Sequence, residues 1–507
     1  MKTRIVSTRI PAAQANGVYN ISLPTGFGTP KGFLVYAMDN LVLPNNFDSD
    51  TDNPSYSVGF GGSNIAGTGI TNICTYLTNE EGSDPTISRS SIGSTVSVFS
   101  SNNGLSISRQ WSCTGFANDL ILGTYSSVGT PQQSPLDLAF TVFGGDDFFC
   151  AVGQTVLPAV ANSIVNVATT FVPDAVLLQH QRFTTSTDGN IHFGCATRTA
   201  GVGVTTVSSQ VGSTWRNQNA QGSTICTVRV SSDGTINLAT NSAVRVAYLS
   251  SSGIAFTQST SNTQNNIVFM ALKAGNGVTN SFSANTFSSG TAIGTSFYNV
   301  GFNSKHILGG FSLATALNTS ITGQSASPNV NSECFSYFTA NGFQQSNIVG
   351  IGTFTSTTSS TSLTGVGTSF LNQLGALDRI YNLGYQLVGI VSSITSNTAL
   401  LLSTNASITA TGSSFIFEKP QQFSYAYGNE SSQNSGNINL RGYISDNAFI
   451  NFTCTTPTLI TVGNMQNLNG ENGFTANYTT SSSTPRFGWY LAIKDEDFYS
   501  RRRGKIS

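Results

Sequence analysis

Apolar and polar residues alternate with a period of two through much of the chain, as in Thr95-Val96-Ser97-Val98-Phe99, Cys226-Thr227-Val228-Arg229-Val230 and Ile438-Asn439-Leu440. A period of two sends successive side chains to opposite faces, so these runs predict half-buried β-strands. Clusters of Gly, Ser, Asn and Asp separate them at short intervals and predict turns. Helical periodicity is scarce. Its best stretch is Leu371, Leu374, Leu377 and Ile380, which predicts a short amphipathic turn within 371–381. The pattern defines an all-β protein.

Four landmarks recur along the chain. An aromatic-led strand opening reads Phe27 to Val35, then Phe171 to Leu178, then Phe302 to Leu308. A second strand reads Tyr56-Ser-Val58-Gly59-Phe60, Ile191-His192-Phe193-Gly194 and Cys334-Phe335-Ser-Tyr337-Phe338. A third landmark reads as a hairpin with a polar turn: Asn103-Gly104, Asp233-Gly234 and Asp446-Asn447. The fourth is a Gly-led strand before a closing apolar strand. Gly253 precedes Ile267-Val268-Phe269-Met270-Ala271-Leu272, and Gly473 precedes Phe487-Gly-Trp489-Tyr490-Leu491-Ala492-Ile493 at the same spacing. Gly115 and Leu136 to Val142 take these places in the first copy. The third copy is too long by about one small domain, and the excess falls at 349–419. These observations predict three tandem β-sandwich (jelly-roll-like) repeats, the third interrupted by a small β-barrel or β-roll insert. The expected divisions are 1–152, 153–276, a discontinuous 277–348 with 420–498, the insert 349–419, and a basic tail 499–507.

Composition narrows the functional classes. Charged residues are only 9% of the 507, while 38% are hydrophobic and 10% aromatic. Cores are therefore affordable in number, and the surface must be built mainly from hydroxyls and amides. A formal net charge of −1 offers no field for nucleic acid or an anionic membrane. No stretch of about 20 apolar residues predicts a membrane span, and the first residues lack the apolar core of a signal peptide. The one charge run, Arg501-Arg502-Arg503-Gly504-Lys505, reads as a solvated tail or a clip for an acidic partner. Seven scattered cysteines without a C-x-x-C read as buried free thiols.

The chemistry-bearing candidates are few. Gly365-Val366-Gly367 in "LTGVGTSF" has the first half of a dinucleotide fingerprint, yet Phe370 stands where the third Gly belongs and no acidic ribose partner follows. The reading preferred here is a tight bend that plants Phe370 in a small core with Leu374 and Ile380. A hairpin around Ser396-Asn397 follows. His180, His192 and His306 lie in strand-like segments without metal spacing and are expected to be structural. Asp146-Asp147 and Asp495-Glu496-Asp497 read as solvated turns. Asp48, Asp50 and Asp52 form the D-x-D-x-D start of a calcium loop, a candidate structural Ca²⁺ site. Asn53 replaces its turn Gly and Gly59 its bidentate Glu, so a hydrated loop is the alternative. Trp111 and Trp489 are expected in cores, whereas Trp215, in polar surroundings, is a candidate glycan contact. No cofactor and no catalytic residue are expected.

Two resemblances follow from these residues. The insert's "TSLTGVGTSF…DRIYN…LVGIVSSITSNTALLL" resembles a small β-module of virion structural proteins of tailed bacteriophages, notably those of cyanobacteria and other marine bacteria. The "FVPDAV" opening with "RVAYL" and "FGWYLAIK" resembles a sandwich repeat of phage tail and fibre-associated proteins. The resemblance implies a non-enzymatic virion component, assembled in the host cytoplasm, whose partners are other virion proteins. A homo-oligomer, as a trimer, is expected by analogy with phage fibres. Placement in the tail, baseplate or fibre is expected first. A host-glycan-binding adhesin and a capsid decoration or head-fibre protein are the alternatives. Edge strands with few Lys or Pro blockers are expected to invite a partner strand.

Overall fold

The computed structural model describes the chain from Met1 to Lys494 except 40–54, 81–86, 129–134, 183–187, 223–243, 259–264, 276–280, 313–319, 325–331, 432–437, 454–457, 467–471 and breaks of one to three residues. The described residues are almost entirely antiparallel β-structure, with one four-residue helical turn, Phe370–Gln373. The all-β expectation holds. The chain divides into two compact units, one of Met1–Leu23, Phe27–Thr339 and Gln422–Ser507, the other of Pro24–Gly26 and Ala340–Gln421.

The larger unit holds three pairs of sheets, each pair with one large and one small sheet. In each large sheet a lead strand pairs with a closing strand, which pairs with an inner strand, which pairs with a flank strand. In the first these are Lys2–Ile10, Leu136–Gly144, Pro30–Asp39 and Ser55–Ser63. In the second they are Phe149–Leu157, Asn265–Lys273, Ala175–Arg182 and Asp188–Thr197. In the third they are Phe282–Ser288, Phe487–Ile493, His306–Ser312 and Ser332–Val349. Residue 152 lies inside the second lead strand, whose partner is the second closing strand.

Each small sheet is built the same way. The segment after the lead strand pairs with the segment before the closing strand: Gly17–Val18 with Leu120–Ser127, Ile164–Val167 with Gly253–Gln258, and Gly294–Asn299 with Gly473–Thr480. Gly253 takes φ +116°, and a Cβ there would lie 2.0 Å from the Val167 carbonyl oxygen. A Cβ on Gly473 would lie 2.0 Å from Tyr298 O. Both strands start with Gly because a backbone crosses them too closely for any side chain.

Burial explains the closing strands. Every residue of Leu136–Gly144 is buried. One face, with Phe140 and Val142, packs on Trp111, Cys113 and Ile121 of the first small sheet. The other face points into a second core, which draws on all three large sheets: Leu34, Tyr36 and Tyr56; Leu177, Phe193 and Met270; Leu308, Tyr337 and Trp489. The second closing strand likewise sends Phe269 to a core with Phe256 and Met270 to the shared one. A sheet covered on both faces has no polar face, so its central strands read as unbroken apolar runs. Three independent sandwiches would each have left one large-sheet face to solvent. Instead the three large sheets enclose one core.

Two expectations about elements need correction. The segment Leu440 to Ile450 is not a hairpin. Ile438–Ser445 pairs with Phe415–Ser431, whereas Phe449–Thr453 pairs with Thr458–Gln466 in the small sheet. Two strands that cross between layers carry the same alternation as two that pair, so pattern alone does not separate them. The helical reading of 371–381 shrinks to Phe370–Gln373, and Arg379–Asn382 is a strand. The first hairpin, Val98–Asn103 with Ser106–Ala117, is paired as expected. Asp233-Gly234 lies outside the described residues.

Candidate functional site: the smaller unit and its Gly365–Phe370 turn

The smaller unit curls one run of strands around one core. Ser362–Val366 pairs with Thr353–Ser356 on one side and Ala399–Leu402 on the other. Leu387–Ser396 pairs with Ala399–Leu402 across Asn397 and Thr398, the expected hairpin. The core contains Phe354, Leu363, Phe370, Leu374, Ile380, Val388, Val391, Leu400 and Phe415. Phe370 is fully buried, and its ring meets that of Phe415 edge-on at 5.8 Å.

The turn is locked by Asn397. Phe370 N donates to Asn397 O (3.1 Å), Thr368 Oγ1 donates to the same oxygen (2.6 Å), and Leu371 N donates to Asn397 Oδ1 (3.2 Å). Gly365 N donates to Thr398 O (2.8 Å). A phosphate-binding loop needs its backbone N–H groups aimed at the anion. Here the Gly365, Phe370 and Leu371 N–H groups are used internally, and the helix behind them is a single turn. A Cβ on Gly365 would meet Thr368 Oγ1 at 2.2 Å and the Phe370 ring at 2.9 Å, and Gly367 takes φ +64°. The two glycines make the bend that buries Phe370, as the sequence predicts.

Four large apolar side chains around this turn are exposed. Val366 is 75% exposed, Val349 64%, Ile351 58% and Leu371 56%. They are neighbours: Val366 pairs with Thr353, a Cβ on Gly352 would reach Val366 O at 2.5 Å, and Ile351 N donates to Gln373 Oε1 (3.0 Å) two residues beyond Leu371. Large apolar side chains grouped on a surface mark a contact site. The sequence reading missed this patch. Its signal was available: Val366 and Leu371 flank a turn whose inward position is already taken by Phe370.

The other candidates separate. Asp48, Asp50 and Asp52 lie outside the described residues, as do Asp495-Glu496-Asp497 and the basic tail. Trp215 lies in Thr214–Gly222, opposite Gln210, and its side chain is outside the described residues. No group of three or more His, Cys, Asp or Glu suited to a metal occurs among the described residues. His180 and His192 face each other in register on the second inner and flank strands. His306 is fully buried with Nε2 3.0 Å from Thr339 Oγ1, and desolvation, then the Arg4 charge, lowers its pKa to about 3. It is a neutral structural histidine. Cys74, Cys113, Cys150 and Cys195 are buried free thiols. Burial pushes Cys113 up to about 12, and no nucleophile is made there. Trp111 and Trp489 are core residues, and Trp111 Nε1 donates to Tyr19 O (2.9 Å). No helix among the described residues is long and apolar enough to cross a membrane. No family model matches the chain, and no curated protein matches it.

Proposed function

We propose that the chain is a non-enzymatic structural component of a tailed-phage particle, belonging to the tail, baseplate or fibre apparatus, and that the smaller unit is its attachment point to a neighbouring virion protein. The observation that carries this reading is the apolar group Val349, Ile351, Val366 and Leu371, exposed at a rigid turn. It stands on a chain with only 9% charged residues. Covering such side chains contributes about 25 cal/mol per Å² of apolar surface removed from water, and a bend tied to Asn397 and Thr398 by four hydrogen bonds loses little entropy on docking. The resemblance of this segment to a phage virion module supplies the identity of the partner class. Three sandwich-like sheet pairs with one recurring strand order fit a scaffold that holds such a contact.

The test is incorporation. Antibody to the chain is expected to label intact particles in immunogold microscopy. The double variant Ile351→Asp, Val366→Asp, at exposed positions, should fold normally. Two charges at an apolar contact should lower its incorporation by about tenfold or more. Incorporation at the unaltered level, or absence of label from particles, counts against the reading.

A further inference from the structure

The three large sheets each send one matching row of residues into the larger unit's shared core. Register places Ile5, Thr141 and Leu34 side by side across the first lead, closing and inner strands. Val152, Met270 and Leu177 occupy the same row in the second, and Ala284, Leu491 and Leu308 in the third. All nine are buried, and all but Thr141 belong to the shared apolar core.

Two of the junctions use the same pair of elements, and at all three an aromatic residue of one flank strand meets that of another. The second lead strand packs on the first flank strand and on its neighbour Ile70–Glu80. There Thr75 Oγ1 donates to Gln179 Oε1, and Phe60 lies 6.5 Å from Phe193. The third lead strand packs on the second flank strand and on its neighbour Gly201–Val211. There Phe193 lies 5.0 Å from Tyr337 and 5.1 Å from Trp489. Between third and first, Tyr337 stacks on Tyr36 at 5.5 Å and on Tyr56 at 5.9 Å. Thr141 Oγ1 and Thr339 Oγ1 are 3.0 Å apart. Arg9 and Asp137, opposite each other on the first lead and closing strands, both act on Tyr425.

We propose that the three sheet pairs are copies of one unit closed into a ring by a single head-to-tail contact, and that the chain works as a monomer holding within itself the threefold core that three chains would otherwise have to assemble. A head-to-tail interface either closes or continues into a filament. Here the third copy meets the first, so the surface that would recruit a second chain is occupied by the chain's own far end. Covalent linkage makes each closure intramolecular, without the entropy cost of association. The trimer expected by analogy is thereby replaced by a pseudo-trimer.

The native mass of the full-length chain, followed from nanomolar to high micromolar concentration, tests the first half. One chain of 53.3 kDa throughout is expected; a concentration-dependent mass of three chains overturns the proposal. A double-mutant cycle on Thr141→Val and Thr339→Val, read by melting temperature, tests the seam. The closed ring predicts that the double variant loses clearly less than the sum of the singles. Additive losses overturn closure even in a monomer. If the valine variants do not fold, the Thr141→Ala and Thr339→Ala pair, which removes both hydroxyls with a smaller side chain, gives the same reading.

Discussion

His306 and Tyr36 carry the residue-scale consequences of the shared core. His306 is neutral in the fold with a pKa of about 3, against an ordinary value of 6.5. Above pH 6.5 both folded and unfolded chains leave it neutral, and stability is unaffected. Between pH 6.5 and about 3 only the unfolded chain takes the proton, so stability falls by about 1.4 kcal/mol per pH unit. Urea unfolding at pH 7 and pH 5 is expected to show about 2 kcal/mol of acid loss that His306→Gln lacks. Equal losses in both proteins would contradict the burial of a neutral imidazole. The Tyr36 hydroxyl is buried without a hydrogen-bond partner among the described residues, and desolvation raises its pKa. Removing it relieves that cost, so Tyr36→Phe should gain about 1 kcal/mol. A loss of similar size would reveal a partner for the hydroxyl. Trp489 was legible as a core residue because Tyr490 and Leu491 follow it in an apolar run. The Thr141–Thr339 seam was not legible, because two threonines 198 residues apart carry no signal of contact.

At the scale of elements, glycines mark where layers cross. Gly253 and Gly473 stand at equal distances before Ile267 and Phe487 of their closing strands, and a crossing carbonyl lies against the Cβ position at each. Alanine at either position forces a backbone shift. Gly253→Ala and Gly473→Ala should each cost about 3 kcal/mol or more, well above an ordinary Gly-to-Ala change. Chemical denaturation measures this, and costs below about 1 kcal/mol would show that the strands are free to separate. The spacing of these glycines was visible in the sequence, although the carbonyl that requires them was not. The closing strands held a stronger signal than alternation did. Six apolar residues in a row from Ile267 to Leu272 already imply a sheet covered on both faces. The same period-two pattern could not tell whether Ile438–Ser445 and Phe449–Thr453 pair or part, since alternation reports a strand's face and not its neighbour.

For the whole molecule, the all-β class of fold followed from periodicity. The closing of three sheets on one core did not follow, because a count of apolar residues does not say which sheet faces which. Nor did the sequence reading reach the exposed group beside Gly365–Phe370, although the inward place taken by Phe370 left Val366 and Leu371 to the surface. Two claims meet here, a self-contained threefold chain and an apolar turn that docks on a neighbour. Cryo-electron microscopy of intact particles tests both at once. One chain is expected to build all three sandwich pairs at each position, with Val349, Ile351, Val366 and Leu371 covered by another virion protein. Three copies assembled about a common axis, those side chains left in solvent, or particles without the chain would contradict it.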